Sequence, residues 1–220
     1  MKKAAILLAV SLWTATLSGC SGAGSQTGTG GNDGTAVSEN ESVENSGETG
    51  DFKELEVLKI GVADMPKHMD PMRDVGNTGI RIHYNIFETL ILADQKNSYE
   101  QKPMLAEEWE RIDDYTVEFK LRQGVKFHNG DELTAKDVKY SFDRLKKNIQ
   151  GIELAASLMS TIKEVEILDD YTVRLVTESV DPILEDRVAS SWGAWILPAD
   201  YLEEVGDNGF ASQPVGTGPY

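Results

Sequence analysis

Apolar and polar positions alternate with period two across residues 115–122. Tyr115, Val117, Phe119 and Leu121 are apolar; Thr116, Glu118, Lys120 and Arg122 are polar. That period predicts a strand with one wet face, of the antiparallel, half-exposed kind. The pentapeptide Asp113-Asp114-Tyr115-Thr116-Val117 returns as Asp169-Asp170-Tyr171-Thr172-Val173, each copy following a shorter alternating run, 109–112 and 165–168. Paired acids between two strand patterns read as a hairpin turn, because Asp bonds its own backbone and tolerates turn dihedrals. The pattern therefore predicts two similar hairpins.

Three further patterns flank them. Residues 55–62 form a mostly apolar run of strand length, predicting an opening strand buried on both faces. From 78 to 92, Ile80, Tyr84, Phe87 and Ile91 recur at spacings of four, three and four, with Leu90 beside them. This predicts an amphipathic helix with Tyr84 and Phe87 in the core. Lys126-Phe127-His128-Asn129-Gly130-Asp131 supplies an Asn-Gly turn. Thr134, with Asp137 three residues on, then resembles a capping box ahead of an apolar stripe of Val138, Phe142 and Leu145.

The beginning of the chain has a different character. Lys2 and Lys3 precede an apolar run, 4–12, far shorter than the ~20 residues of a spanning helix. This is a signal peptide by its pattern. Leu17-Ser18-Gly19-Cys20 resembles the lipobox of bacterial lipoproteins, which implies acylation of Cys20 and cleavage before it. The other reading is a secreted chain with one unpaired thiol. Cys20 is the only cysteine, so an intrachain disulfide is excluded. Residues 21–50 are dominated by Gly, Ser, Thr, Asn and Glu, with no aromatic, Lys or Arg, and read as a flexible acidic tether. A coil of that length reaches roughly 30 Å, which suits a Gram-positive envelope.

The formal charge is −16, and becomes −18 without residues 1–19, which hold two lysines and no acid. That charge disfavours nucleic acid and anionic lipid surfaces as partners. The doubled carboxylates Asp113–Asp114, Asp169–Asp170 and Glu107–Glu108 read as turn and strand residues, since neighbours in a strand or turn point apart, rather than as acid–base pairs. His68, His83 and His128 are scattered and have no metal-ligand spacing. There is no Gly-x-Ser-x-Gly elbow, and Gly216-Thr217-Gly218-Pro219 lacks the Lys of a phosphate loop. The expectation is a non-enzyme without metal or cofactor.

One ordered series of segments then resembles a known family. It comprises 103–109 (Pro-Met-Leu-Ala-Glu-Glu-Trp), 115–122, 124–130 (Gly-Val-Lys-Phe-His-Asn-Gly), 133–138 (Leu-Thr-Ala-Lys-Asp-Val) and Ser141-Phe142 to Arg144. It is similar to the signature of the extracellular solute-binding proteins of dipeptide and oligopeptide transporters. Met69-Asp70-Pro71, 86–90 and the Gly-Thr-Gly-Pro-Tyr end at 216–220 extend the resemblance over about 55–220.

The resemblance implies a type II periplasmic-binding-protein-like α/β fold with an extra inserted α+β domain, in proteins more than twice this length. It assigns 51–90 and 188–220 to a first lobe and 91–187 to the inserted domain, with a second lobe beyond Tyr220. The unusual end at Gly216–Tyr220 also suggests a piece of a longer chain. For ligand contact it points to Val75, Gly76 and Asn77, whose main chain would run along an extended ligand. The alternative there is an ordinary exposed loop using Gly and Asn for turn dihedrals. Trp192 and Trp195 are candidate cleft aromatics or core residues, and Leu154 could meet a ligand end. The implied role is a monomeric, lipid-anchored receptor on the outer face of the cell membrane, capturing peptides for an ABC permease. A peptide-signal sensor, or a receptor for nickel chelate, haem or oligosaccharide, is the alternative.

Overall fold

The computed structural model describes residues 59–220, all within one compact unit, Val57–Tyr220. The leader, Cys20, the acidic tether and 55–58 lie outside the described residues.

The two hairpins form as the alternation predicts. Strand β3 (Ala106–Arg111) pairs antiparallel with β4 (Thr116–Leu121), and β5 (Ile162–Asp169) with β6 (Thr172–Thr177). They join through β4 and β6, with Val117 opposite Leu175 and Phe119 opposite Val173, giving a four-stranded sheet of order β3-β4-β6-β5. Period two puts Val117, Phe119, Leu121, Val173 and Leu175 on one face, where all are buried. Glu118 and Arg174 stand on the other and bond across the strands at 2.9 Å. Both turns use one device: Asp113 accepts the Tyr115 N–H at 2.8 Å, and Asp169 accepts the Tyr171 N–H at 2.8 Å.

Helix α2 (Ala135–Arg144) covers the buried face at β5 and β6. Val138, Phe142 and Leu145 are its buried apolar stripe. Its start is fixed as the capping pattern requires, with the Thr134 N–H donating to Asp137 Oδ2 at 2.9 Å. A small antiparallel pair, β1 (Ile91–Asp94) and β2 (Glu100–Pro103), lies ahead of the larger sheet in sequence. Three more helices follow α2: α3 (Glu153–Leu158), α4 (Leu184–Val188) and α5 (Ala199–Ser212), the last interrupted at Gly206 with φ +68°.

Two expectations are corrected. The helix predicted over 78–92 is the seven-residue α1 (Asn77–His83). It stops because Asn85 Nδ2 donates to the Arg81 carbonyl at 2.8 Å, occupying an end acceptor, and because Thr89 must extend to bridge Trp195. Phe87 still reaches the core, whereas Ile91 opens β1. The predicted opening strand does not form over its described part, 59–62, where Ile60 is 75% exposed. A strand is buried only between sheet neighbours, and among the described residues none pairs with these.

Candidate functional site

The loop after Asp70-Pro71 is built from its acids outward. Asp70 is fully buried and bonds Arg144 of α2, with Nη2 to Oδ2 at 2.6 Å; the same Nη2 reaches Asp207 of α5 at 2.7 Å. Burial works against the guanidinium charge, but the two carboxylates outweigh it and raise its pKa. Asp70 Oδ1 accepts the Met72 N–H, and its carbonyl accepts from Arg73 and Asp74. Asp74 takes the Gly76 N–H at 3.0 Å and the Lys67 N–H at 2.6 Å. A continuous run of hydrogen bonds thus leads from Arg144 to Gly76. Behind it, the buried His83 faces the His68 carbonyl through Nε2 at 3.3 Å, and burial lowers its pKa.

Asn77 then lines a cleft of about 660 Å³ together with Tyr84, Tyr99, Asp186, Ser191 and Trp192. Its size lies within the range of small-ligand sites. One rim is the β1–β2 connection, where Ser98 and Tyr99 both hold left-handed φ, +55° and +62°. Asp94 fixes this turn by accepting from the Lys96 N–H at 3.0 Å, Asn97 at 2.6 Å and Lys102 at 2.6 Å. Those donors, Lys102 foremost, hold its pKa at about 2.

Of the residues singled out in the sequence, Asn77 and Trp192 meet in this cleft. Val75 and Gly76 line an adjoining hollow of about 270 Å³. Both main-chain groups of Gly76 are engaged, N–H by Asp74 and carbonyl by Ile80. Trp195 lies in the core, 1% exposed, edge-on to Tyr84 at 5.4 Å; it stands behind the cleft wall and does not line it. Leu154 is half exposed on α3 and outside the cleft lining. Tyr84, read from the sequence as core, is a partly buried wall residue. Tyr99 and Asp186, which also line the cleft, carry no periodic signal in the sequence.

A second contact ties the glycine-rich end to the turn at 126–131. His128 donates its backbone N–H to the Gly216 carbonyl at 2.9 Å, and Gly216 N–H donates to His128 Nδ1 at 3.3 Å. With Nδ1 accepting, Nε2 carries the proton and donates to the Gly218 carbonyl at 2.7 Å. On the other side Gly218 and Tyr220 donate to Ile86 and Asn85. A Cβ at Gly216 would sit 1.9 Å from the Ile86 carbonyl oxygen, so only glycine fits.

The cleft is thus walled by Tyr84, Tyr99 and Trp192, and the loop that leads into it at Asn77 is braced by buried polar bonds. The chain belongs to the bacterial extracellular solute-binding proteins, family 5, whose middle region matches residues 100–220. Members of that family bind solutes and are not catalysts. Di/tripeptide-binding protein 2 of Pseudomonas aeruginosa is 36% identical over 141 residues, 54% of this chain and 26% of that protein. Heme-binding protein A of Haemophilus influenzae is 32% identical over 147 residues, 57% and 27%. Among solved structures, DppA from Helicobacter pylori in complex with peptide STSA superposes with a TM-score of 0.62 at 30% identity, over 70% of this chain and 34% of that one. The PBP AgaA in complex with agropinic acid, from A. tumefacien R10, gives 0.63 at 31% identity, over 70% and 30%. The fold is thus α/β and periplasmic-binding-protein-like, and the chain spans 26% to 34% of the length of these four relatives.

Proposed function

We propose that this chain is part of the substrate-binding component of an ABC importer, a monomeric receptor anchored by lipid on Cys20 that captures peptides outside the cell and hands them to a membrane permease. The observation that carries the reading is the cleft itself, in a chain of this family, with Asn77 and Trp192 in its lining and the Asp70 loop braced behind it. Peptide binding is favoured over other ligands by the chain's relatives, among them the P. aeruginosa di/tripeptide-binding protein and H. pylori DppA in complex with a peptide. The H. influenzae haem-binding relative keeps haem as a second reading.

In this proposal residues 51–90 and 188–220 belong to a first lobe and 91–187 to an inserted domain. The main-chain groups of Val75 and the Asn77 N–H then serve an extended ligand as an added strand, since both groups of Gly76 are already bonded and the Asn77 carbonyl opens the α1 ladder. Leu154 lies near one ligand end. Closure around the ligand is driven only by its higher affinity for the closed state.

Native mass spectrometry of the naturally encoded product, with Cys20→Ser for solubility, tests this. A ladder of short peptides released on denaturation is the expected result. Haem released instead, or one defined peptide, would replace broad peptide uptake with haem capture or signalling respectively.

A further inference from the structure

The cleft contains one formal charge, and it is negative. Among the residues that line it, Asp186 is the sole acid and no Lys or Arg is present. Its neighbours make the carboxylate available. The arginines that could have paired with it face other acids: Arg187 meets Asp181 at 3.0 Å, and Arg111 bonds Glu185 with Nε to Oε1 at 3.1 Å. Asp186 is held instead by a neutral donor, Gln101 Nε2 to Oδ1 at 2.6 Å. Gln101 belongs to β2, in the hairpin that also presents Tyr99, so one element positions both the carboxylate and an aromatic wall. A neutral donor orients a carboxylate without cancelling its charge.

The surrounding side chains suit the same ligand chemistry. Tyr84, Tyr99 and Trp192 line the cleft, and the faces of such rings attract cations. The remaining polar lining, Asn77 and the serines among it, is neutral. Consecutive left-handed non-glycine residues at Ser98 and Tyr99 are the kind of backbone strain found at ligand clamps. The strongly acidic chain adds a long-range field of the same sign.

We infer that this cleft takes a cationic group of its ligand, an ammonium or guanidinium, with Asp186 as its counter-ion and Tyr84, Tyr99 and Trp192 as its walls. The inference rests on the binding reading above and narrows its ligand class. It places the positively charged end or side chain of a peptide here and disfavours ligands whose part in this cleft is anionic. Asp186 is thus the residue that sets charge specificity.

The test is calorimetric titration of the naturally encoded protein carrying Cys20→Ser, with and without Asp186→Asn. Its probes are tri-alanine, N-acetyl-tri-alanine, Ala-Lys-Ala and agmatine. Asp186 is exposed, so the substitution leaves the fold in place, which matching thermal melts verify. In the unsubstituted protein, either the free over the acetylated terminus or Lys over Ala is expected to bind about tenfold tighter, the scale of one charge-assisted hydrogen bond. Asp186→Asn reduces that preference below about twofold. Peptides bound without either preference, or with a preference that survives Asp186→Asn, overturn the inference and leave peptide binding standing. If no peptide binds but agmatine does, and Asp186→Asn abolishes it, the cation site stands and the peptide reading falls. If none of the probes binds, both fall.

Discussion

Helix α2 buries two stripes side by side, and they are held by opposite kinds of chemistry. Val138, Phe142 and Leu145, spaced four and three apart, pack on the sheet through apolar contact alone. Asp137, Ser141 and Arg144 repeat the same spacing one residue earlier and are equally buried. Each of these polar side chains bonds a distant segment. Asp137 Oδ1 accepts the Ala199 N–H at 2.9 Å, Ser141 Oγ accepts the Leu197 N–H at 2.8 Å, and Arg144 meets Asp70 and Asp207. The apolar stripe is non-directional and tolerates exchange among similar shapes. The polar stripe fixes which backbone atoms sit where, and it does so for the segments that flank the cleft.

Breaking the polar stripe at Arg144 gives the largest effect. Arg144→Ala leaves Asp70 buried and unpaired and is expected to cost about 3–5 kcal/mol in denaturant melts. Phe142→Leu, on the other stripe, costs less than about 1.5 kcal/mol. Near-equal losses would erase the distinction between the stripes. Asp137→Ala and Ser141→Ala come next, at about 1–3 kcal/mol each, because the Ala199 and Leu197 N–H groups lose their acceptors. Hydrogen exchange should report the loss first at those two amides.

The acid limb sharpens the contrast. Burial lowers the pKa of His83, so its contribution to stability is present above its ordinary 6.5 and is lost as pH falls towards the depressed folded value. His68, lowered by burial and by Arg73, acts in the same sense. His83→Gln should therefore flatten the stability slope below pH 6.5 by at most ~1.4 kcal/mol per pH unit, as followed by urea melts at stepped pH. The smallest effects belong to the sheet turns. Asp113→Ala and Asp169→Ala each remove the same side-chain bond and should cost about 0.5–1.5 kcal/mol. Additivity in the double variant is the expected outcome, and strong coupling would show that the two hairpins do not act independently.

The same comparison explains what the sequence discloses. Alternation over 115–122, the repeated Asp-Asp-Tyr-Thr-Val and the stripe of Val138 and Phe142 are local, and the sheet, its turns and α2 follow them closely. The polar stripe is also periodic, but a buried polar face has the same pattern as a solvated one. Its partners Asp70, Leu197 and Ala199 lie 74, 56 and 62 residues from it, beyond any local window. The helix over 78–92 fails for a related reason: Phe87 and Ile91 fit its period while serving a turn and a strand. In the cleft, Asn77 and Trp192 were legible through resemblance, whereas Tyr99 and Asp186 come together only because the β1–β2 hairpin meets α4.

The ribbon at 216–220 is held by segments distant from it in sequence. Every bond described for it reaches back to Asn85, Ile86 or His128, and the two imidazole bonds span 88 and 90 residues. Closing so long a loop gains nothing until both landing sites exist. The hairpins and α2 are local structures that can form in its absence, and the ribbon is then the step that ties 85–86 to 126–131. Its docking therefore belongs late in the order of folding. A substitution such as Gly216→Ala would act mainly on whether that final closure holds, leaving the sheet it closes over already made.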